Sequence, residues 1–253
     1  YQTALTIESV IKDIDSKKYL LPSIQREFVW STGQIEKLFD SLMRDYPINA
    51  FLFWKVPREK VSEFKFYEFL RDYHQKDNKH NPKANTNGTE DIIAILDGQQ
   101  RMTSLYIALK GTYAYKMSYK RWDNPAAYPK RKLYLNLLAA SDDADMFYDF
   151  LFLTEEEAKN IKNDNDEYEG SFWFPVGKIL DFREESDVND YLIDNDLNTV
   201  ADKAQAKFAN KALFKLYSII HNKQTISYYL EESTELDKVL NIFIRVNSGG
   251  TTL

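Results

Sequence analysis

The sequence of 253 residues contains no cysteine, three histidines and only eight glycines. The absence of cysteine excludes disulfides, thiol catalysis and cysteine-based metal sites, and it fits a reducing cytoplasm. The histidines lack the spacing of a metalloprotease or zinc-finger site. Walker A, GxGxxG and nucleophile-elbow sequences are absent, and there is no HNH-type cluster of His and Asn. Nuclease chemistry therefore has no recognisable residues in this sequence.

Long hydrophobic runs are also missing. No apolar stretch approaches the ~20 residues that a membrane-spanning helix needs, and no signal peptide is visible. We therefore expect a cytoplasmic protein without a membrane partner. A hydrophobic content of 43% and an aromatic content of 15% predict a folded globular chain.

The most informative stretch is an apolar run followed by the pentapeptide Asp-Gly-Gln-Gln-Arg, residues 97–101. Residues 92–96 are five consecutive apolar side chains, which predict a short buried strand. Asp97-Gly98 supplies a tight turn with a side chain able to cap a helix. Apolar residues spaced at i, i+3, i+4 and i+7 then predict an amphipathic helix; these are Met102, Leu105, Tyr106 and Leu109.

A strand, a glycine turn and a helix start together form an anion site, because free N–H groups and the positive end of the helix dipole point at the turn. Arg101 adds a planar donor fork suited to phosphate. Gln99 and Gln100 add neutral donors and acceptors. In the alternative interpretation, Asp97-Gly98 is a capped turn and the other three side chains are solvated helix surface.

Polar residues in two other segments are candidates for the same site. Gln25-Arg26 lies in an alternating segment that ends in Phe28-Val29-Trp30; it lines a site or belongs to an edge strand. A final amphipathic helix stops at Ser-Gly-Gly, residues 248–250, which form a donor-rich loop. Ser31 and Gln34 predict a capping box at the start of another helix.

The element pattern predicts an α+β fold. Phe64–His74 and Phe147–Lys162 are predicted to be helical, and a Gly-free, Ala-rich pattern from Glu184 to Ile220 indicates a mainly helical C-terminal subdomain. We predict a first domain at residues 1–174 and this subdomain at residues 175–253.

The net charge of −6 argues against a surface that binds nucleic acid everywhere. Residues 110–132 nevertheless carry a net charge of +6, which leaves −12 for the remainder. Tyrosines and a tryptophan alternate with these cations, as in surfaces that bind single strands. The favoured alternative is a half-buried element whose lysines extend into solvent. The candidate DNA contacts are Lys120, Arg121 and Arg131.

Three stretches together resemble the N-terminal domain family of GmrSD-type restriction endonucleases: Pro22–Trp30, Asp97–Arg101 and Phe243–Thr251. The resemblance covers almost the whole chain. It implies a ParB/sulfiredoxin-like mixed sheet with flanking helices, in a modification-dependent anti-phage restriction system. Sulfiredoxin relatives need a cysteine here, so their chemistry is excluded.

By this resemblance the pentapeptide binds and hydrolyses a nucleotide, GTP or ATP with Mg²⁺. Asp97 would position Mg²⁺ or the attacking water, Gly98 would allow close approach, and Gln99 and Gln100 would orient phosphate or water. Arg101 would neutralise phosphate charge. The remaining implied nucleotide contacts are Gln25, Arg26, Thr103, Arg245 and Asn247.

The resemblance also implies a C-terminal HNH-type nuclease domain, in cis or in trans, and modified phage DNA as a partner. The nuclease domain lies outside this sequence, so we expect no DNA cleavage by this fragment alone. The leading hypothesis is an NTP-hydrolysing sensor domain. The alternatives are a ParB-like module that binds modified DNA without hydrolysis, and an interaction scaffold with an empty phosphate site. The sequence leaves the base, the DNA modification and the oligomeric state open.

Overall fold

The computed structural model describes residues 2–23, 27–86, 92–160, 171–200 and 202–248. The helices are α1 (Ile7–Asp15), α2 (Thr32–Met43), α3 (Gln99–Lys110), α4 (Glu155–Asn160), α5 (Glu185–Asp194), α6 (Lys203–Tyr217) and α7 (Leu236–Ser248). The strands are β1 (Tyr19–Pro22), β2 (Phe51–Val56), β3 (Phe66–Tyr67), β4 (Asp72–His74), β5 (Ile92–Asp97), β6 (Thr112–Ala114), β7 (Lys130–Ala140), β8 (Tyr148–Leu153), β9 (Trp173–Pro175) and β10 (Tyr228–Glu231). Short 3₁₀ turns span Arg58–Glu63, Pro125–Ala127 and Val176–Asp181.

Within these residues the strands form two mixed sheets, which confirms the predicted α+β class. The first sheet has the order β10-β2-β5-β1-β3. Its central strand β5 runs parallel to β1 and antiparallel to β2, and β10 runs parallel to β2. The second sheet has the order β4-β6-β7-β8, with β9 also paired to β7.

Helix α3 leaves the first sheet at the end of β5 and enters the main hydrophobic core. Every residue from Met102 to Leu109 is buried, so the helix has no solvated face over this length. The predicted apolar stripe is present, and the residues between its members are small or apolar enough to be buried as well. The pentapeptide thus lies where a central strand meets a central helix.

One apolar cluster continues across the predicted boundary at residues 174/175. It includes Phe150 and Phe174 from the second sheet together with Val176 and Leu213. Strand β10, from the predicted helical subdomain, adds an edge to the first sheet beside β2. The division into two domains stays a prediction, but the C-terminal segment completes both the core and the first sheet.

Two predicted helices need correction. Phe64–His74 forms the short strands β3 and β4, because Phe66 pairs with Pro22 and Tyr73 pairs with Tyr113. The first part of Phe147–Lys162 is strand β8, and only the later part is helical, as α4; residues 161 and 162 lie outside the described part. Phe150 and Phe152 are buried and alternate with more exposed neighbours, which is the period of a strand. Pairing to neighbouring strands overrode the local pattern.

Other predicted elements are confirmed. The Ser31–Gln34 capping box is present at the start of α2. Helices α5 and α6 occupy much of Glu184–Ile220, and α7 is the predicted last helix. None of the described helices is both long and apolar enough to cross a membrane.

Glu36 on α2 is a half-buried carboxyl whose Oε1 accepts the N–H of Phe152 at 3.1 Å. Burial raises the pKa of Glu36 to about 7, and nearby Asp149 contributes to the rise. Since the folded protein holds this proton more tightly than the unfolded chain, the contribution of Glu36 to stability is full below about 4.5, its ordinary value, and is lost as the pH rises through about 7.

We therefore expect Glu36→Gln to gain stability relative to the parent as the pH rises from 4.5 to 8. The free energy of unfolding of the variant minus that of the parent should be larger at pH 8 than at pH 4.5. Glutamine keeps the acceptor for Phe152 but carries no charge. Urea unfolding at the two pH values measures the difference. Glu232→Gln, at an exposed position, is the matched control. An unchanged pH dependence in Glu36→Gln would contradict the expectation.

Candidate functional site

The turn between β5 and α3 requires a residue without a side chain. Gly98 has φ +86° and ψ 12°, in the left-handed region, and it is the N-cap residue of α3. A Cβ atom added there would lie 2.2 Å from Cδ1 of Phe51. The missing side chain makes room for a ring of the neighbouring strand, and the close approach of a ligand to Gly98 stays a prediction. No side chain caps the helix, so the predicted capping by Asp97 is not observed.

The side chain of Arg101 extends from the turn across the ends of the adjacent strands. Its guanidinium donates to three consecutive main-chain carbonyl oxygens, those of Ile48, Asn49 (2.9 Å) and Ala50 (3.2 Å). Its Cζ also lies 4.4 Å from the centroid of the Phe51 ring. In this structure Arg101 has a structural role, and its role on phosphate stays a prediction. The donor fork holds the segment that leads into β2.

The two glutamines also bind main-chain atoms. The side-chain amide of Gln99 donates to the carbonyl oxygens of Ile95 (2.9 Å) and Leu96 (3.3 Å), at the end of β5. Gln100 forms a pair of hydrogen bonds: its Nε2 donates to the carbonyl of Glu27 at 2.9 Å, and its Oε1 accepts the N–H of Val29 at 3.0 Å. Gln100 thereby holds the chain immediately after Gln25-Arg26.

A cavity of about 190 Å³ lies in front of the turn. It is lined by Trp30, Leu96, Asp97, Gly98, Gln99, Gln100, Arg101 and Phe243. All five residues of the pentapeptide thus reach one cavity. The first N–H groups of α3 have no acceptor inside the helix, so this end of the helix favours an anion.

Asp97 carries the carboxylate of the cavity. Its side chain is 31% exposed, against 16% for Arg101, and its Oδ2 lies 3.5 Å from Nη2 of Arg101. Burial lowers the pKa of the Arg101 guanidinium, and the charge of Asp97 opposes that shift. Among the described residues no group of three His, Cys, Asp or Glu side chains is placed to hold a metal ion. The described residues therefore do not form a metal site made of protein ligands alone. A metal ion bound jointly with phosphates needs only one or two carboxylates from the protein.

Comparison with known proteins identifies the family. The family model of the GmrSD restriction endonuclease N-terminal domain matches residues 7–253. The chain belongs to this family. This membership confirms the resemblance seen in the sequence. An uncharacterised protein of Methanocaldococcus jannaschii is 33% identical over 100 residues, which is 40% of this chain and 16% of that protein. The chain thus spans a small part of this curated relative.

The remaining predicted nucleotide contacts do not all meet at the cavity. Gln25 and Arg26 lie outside the described residues. Thr103 is buried within α3 and does not line the cavity. Arg245 is exposed on α7, two residues beyond the cavity-lining Phe243 and hence on another side of the helix. Asn247 lies in α7 one turn beyond Phe243.

The three predicted DNA contacts lie in different environments, one buried and two exposed. Arg131 is 4% exposed, its Cζ lies 4.1 Å from the centroid of the Tyr115 ring, and its Nε lies 3.6 Å from a carboxylate oxygen of Glu157. Because it is buried among protein groups, Arg131 is withdrawn as a DNA contact. Lys120 and Arg121 are exposed, and Arg121 pairs with Asp123 on the same loop. Much of the basic segment therefore agrees with the alternative interpretation of a half-buried element.

Three aromatic residues were missed as contributors to the site. Trp30 and Phe243 form walls of the cavity, and Phe51 fills the space beside Gly98. Trp30 and Phe243 stand at the ends of two of the stretches that carry the family resemblance, which was an available signal. No signal in the sequence pointed to Phe51, because only the register of β2 against β5 brings its ring to the turn.

Proposed function

We propose that this domain binds, and hydrolyses, a nucleoside triphosphate in the cavity in front of Gly98, and that this reaction serves as the sensor step of a restriction system. The observation that carries the proposal is the cavity itself. It combines the free N–H groups of a helix N-terminus with one partly exposed carboxylate and two aromatic walls. The family supports the restriction setting.

The residues fit a nucleotide in the following way. The first N–H groups of α3 would bind phosphate oxygens, and Asp97 would hold Mg²⁺ or orient the attacking water. Bound Mg²⁺ neutralises charge that develops on the phosphates. Trp30 and Phe243 would flank the base or exclude water. Gln25, Arg26, Arg245 and Asn247 stay predicted nucleotide contacts, as the family resemblance implies.

Gln99, Gln100 and Arg101 act in this proposal as positioning residues. Each binds main-chain atoms of a segment that borders the cavity. Their side chains keep the end of β5, the Glu27–Val29 chain and the entry to β2 in place around the phosphates. Precise placement of this kind is what phosphoryl transfer requires from a protein. We propose GTP or ATP as the nucleotide. A nuclease domain in cis or in trans would receive the signal.

The decisive measurement is calorimetric titration with GTP, ATP and CTP in the presence of Mg²⁺. We expect the parent to bind at least one of them and Asp97→Asn to lose roughly tenfold or more in affinity, about 1.4 kcal/mol. Asparagine keeps the shape of Asp97 but removes the charge that a metal–nucleotide complex needs. Asp190→Asn, at an exposed position on α5, is the matched control.

Two results would oppose the proposal. One is equal nucleotide affinity of the parent and Asp97→Asn, which would show that the Asp97 carboxylate does not contribute to binding. The other is no binding of any of the three nucleotides by a folded parent. In that case the pentapeptide would be a structural turn only, and the scaffold alternative would gain support.

The second candidate function is DNA binding without hydrolysis, and one loop favours it. Tyr119 is fully exposed with φ +63°, Trp122 is largely exposed, and Lys120 and Arg121 lie between them. The loop is ordered by Lys116, whose Nζ donates to the carbonyl of Lys120 at 2.8 Å. Aromatic and cationic side chains at one tip suit stacking on bases beside phosphates.

A further inference from the structure

A second cleft lies away from the pentapeptide, and its charge is unlike that of the chain as a whole. It has a volume of about 640 Å³ and is bordered by the Arg58–Glu63 turn, by β3 and by the chain at residues 83–86. Arg58, Lys65 and Lys83 line it, and none of its described lining residues is acidic. The chain as a whole has a net charge of −6. The cationic side chains of this cleft therefore favour anions.

The backbone fixes two of these cations on one face. The N–H of Ala84 donates to the carbonyl of Phe66 at 2.9 Å, and Tyr67 is bridged to Lys83 in antiparallel register. Phe66 and Ala84 are buried, so their neighbours Lys65 and Lys83 project from the opposite face. This register makes the two lysines diagonal neighbours, for which the usual separation is about 7–8 Å.

Two neighbouring cations of this kind repel each other unless an anion lies between them. Neither Lys65 nor Lys83 has an ion-pair partner within the described residues. Below them the floor is apolar and firmly packed, with Val61, Phe66 and Ala84 buried. The two lysines thus stand on a rigid base, and their ammonium groups are available to a ligand that approaches from solvent.

We infer that this cleft binds phosphate groups of a nucleic-acid backbone, at a site separate from the nucleotide cavity. Small-molecule sites usually enclose most of their ligand. Here the charged groups are exposed lysines around an open groove, which suits the phosphates of a strand that passes across it. Ser62, Asn85 and Thr86 add hydroxyl and amide groups along the same groove.

The test measures duplex DNA binding by fluorescence anisotropy at several salt concentrations. The Lys65→Gln/Lys83→Gln variant is compared with the parent and with Lys207→Gln/Lys211→Gln, which removes the same charge from exposed positions on α6. We expect the cleft variant to bind roughly tenfold more weakly at low salt and to reduce the slope of log K against log salt by about 2. The α6 variant should behave like the parent.

Two further comparisons separate this site from the others. In calorimetric titration the Lys65→Gln/Lys83→Gln variant should keep the parent's affinity for nucleotide, because neither lysine lines the nucleotide cavity. A failed nucleotide proposal and a failed cleft would therefore be distinguishable. If Lys120→Gln/Arg121→Gln weakens DNA binding and the cleft variant does not, the inference is overturned in favour of the loop. It is also overturned if the parent binds no DNA at low salt, or if the cleft variant loses only affinity for free nucleotide.

Discussion

Arg101→Lys is expected to lower the free energy of unfolding by about 2–3 kcal/mol and the melting temperature by roughly 5–10 °C. Lysine keeps the positive charge, but one ammonium cannot donate to three successive carbonyl oxygens and also lie flat against the Phe51 ring. The segment that enters β2 would lose its main attachment. Thermal and urea unfolding measure the effect directly.

The control for this change is Arg121→Lys. Arg121 is exposed and pairs with Asp123 in solvent, so its replacement should alter stability by less than about 0.5 kcal/mol. A stable Arg101→Lys protein that no longer binds nucleotide would reverse the assignment. The guanidinium would then be a phosphate ligand rather than a brace. For the same reason, lost binding in an Arg101 variant is informative only when stability has been measured beside it.

Gly98→Ala is expected to destabilise the protein by about 3 kcal/mol. A left-handed backbone costs a non-glycine residue roughly 1–2 kcal/mol, and forcing a methyl group into a packed site costs about 1–3 kcal/mol more. Here the new carbon would meet two atoms of the Phe51 ring at 2.2 and 2.6 Å. Gly33→Ala provides the contrast, because its added carbon would have Glu36 Oε2 at 3.9 Å as its nearest neighbour. That change should be neutral or stabilising.

A double-mutant cycle with Phe51→Leu separates the two causes. If the clash with the ring contributes as described, Gly98→Ala should cost less in the Phe51→Leu background than in the parent, and the remaining cost should be that of the backbone conformation. Equal costs in both backgrounds would show that Phe51 is irrelevant to the need for glycine.

The sequence predicted structure best where a residue's conformation is determined by its neighbours in the chain. The strand, turn and helix at residues 92–110 are confirmed, because apolar periodicity and a glycine turn determine them over a short span. The strands β3 and β8 were predicted to be helical, because the local apolar pattern does not encode their pairing with β1 and β7. The pentapeptide borders a cavity, and the family model confirms the resemblance.

The function of individual side chains at the site was less predictable. Gln100 and Arg101 look like phosphate ligands in the sequence, because donors beside a helix start usually have that role. Their partners are main-chain atoms more than fifty residues away in one case and more than seventy in the other. No local pattern encodes these partners. Equally, the burial of Arg131 depends on Tyr115 and Glu157, which only the second sheet brings to it.

The hydrogen bonds of Gln99, Gln100 and Arg101 to main-chain atoms have a consequence for how this site can diverge. A carbonyl or N–H group is present at every residue except for the missing N–H of proline. The side chains of Glu27, Val29, Ile48 and Asn49 can therefore change without removing the bonds that hold their backbone. The pentapeptide holds the backbone of the segments that border the cavity. The side chains of those segments can therefore change to suit a different ligand.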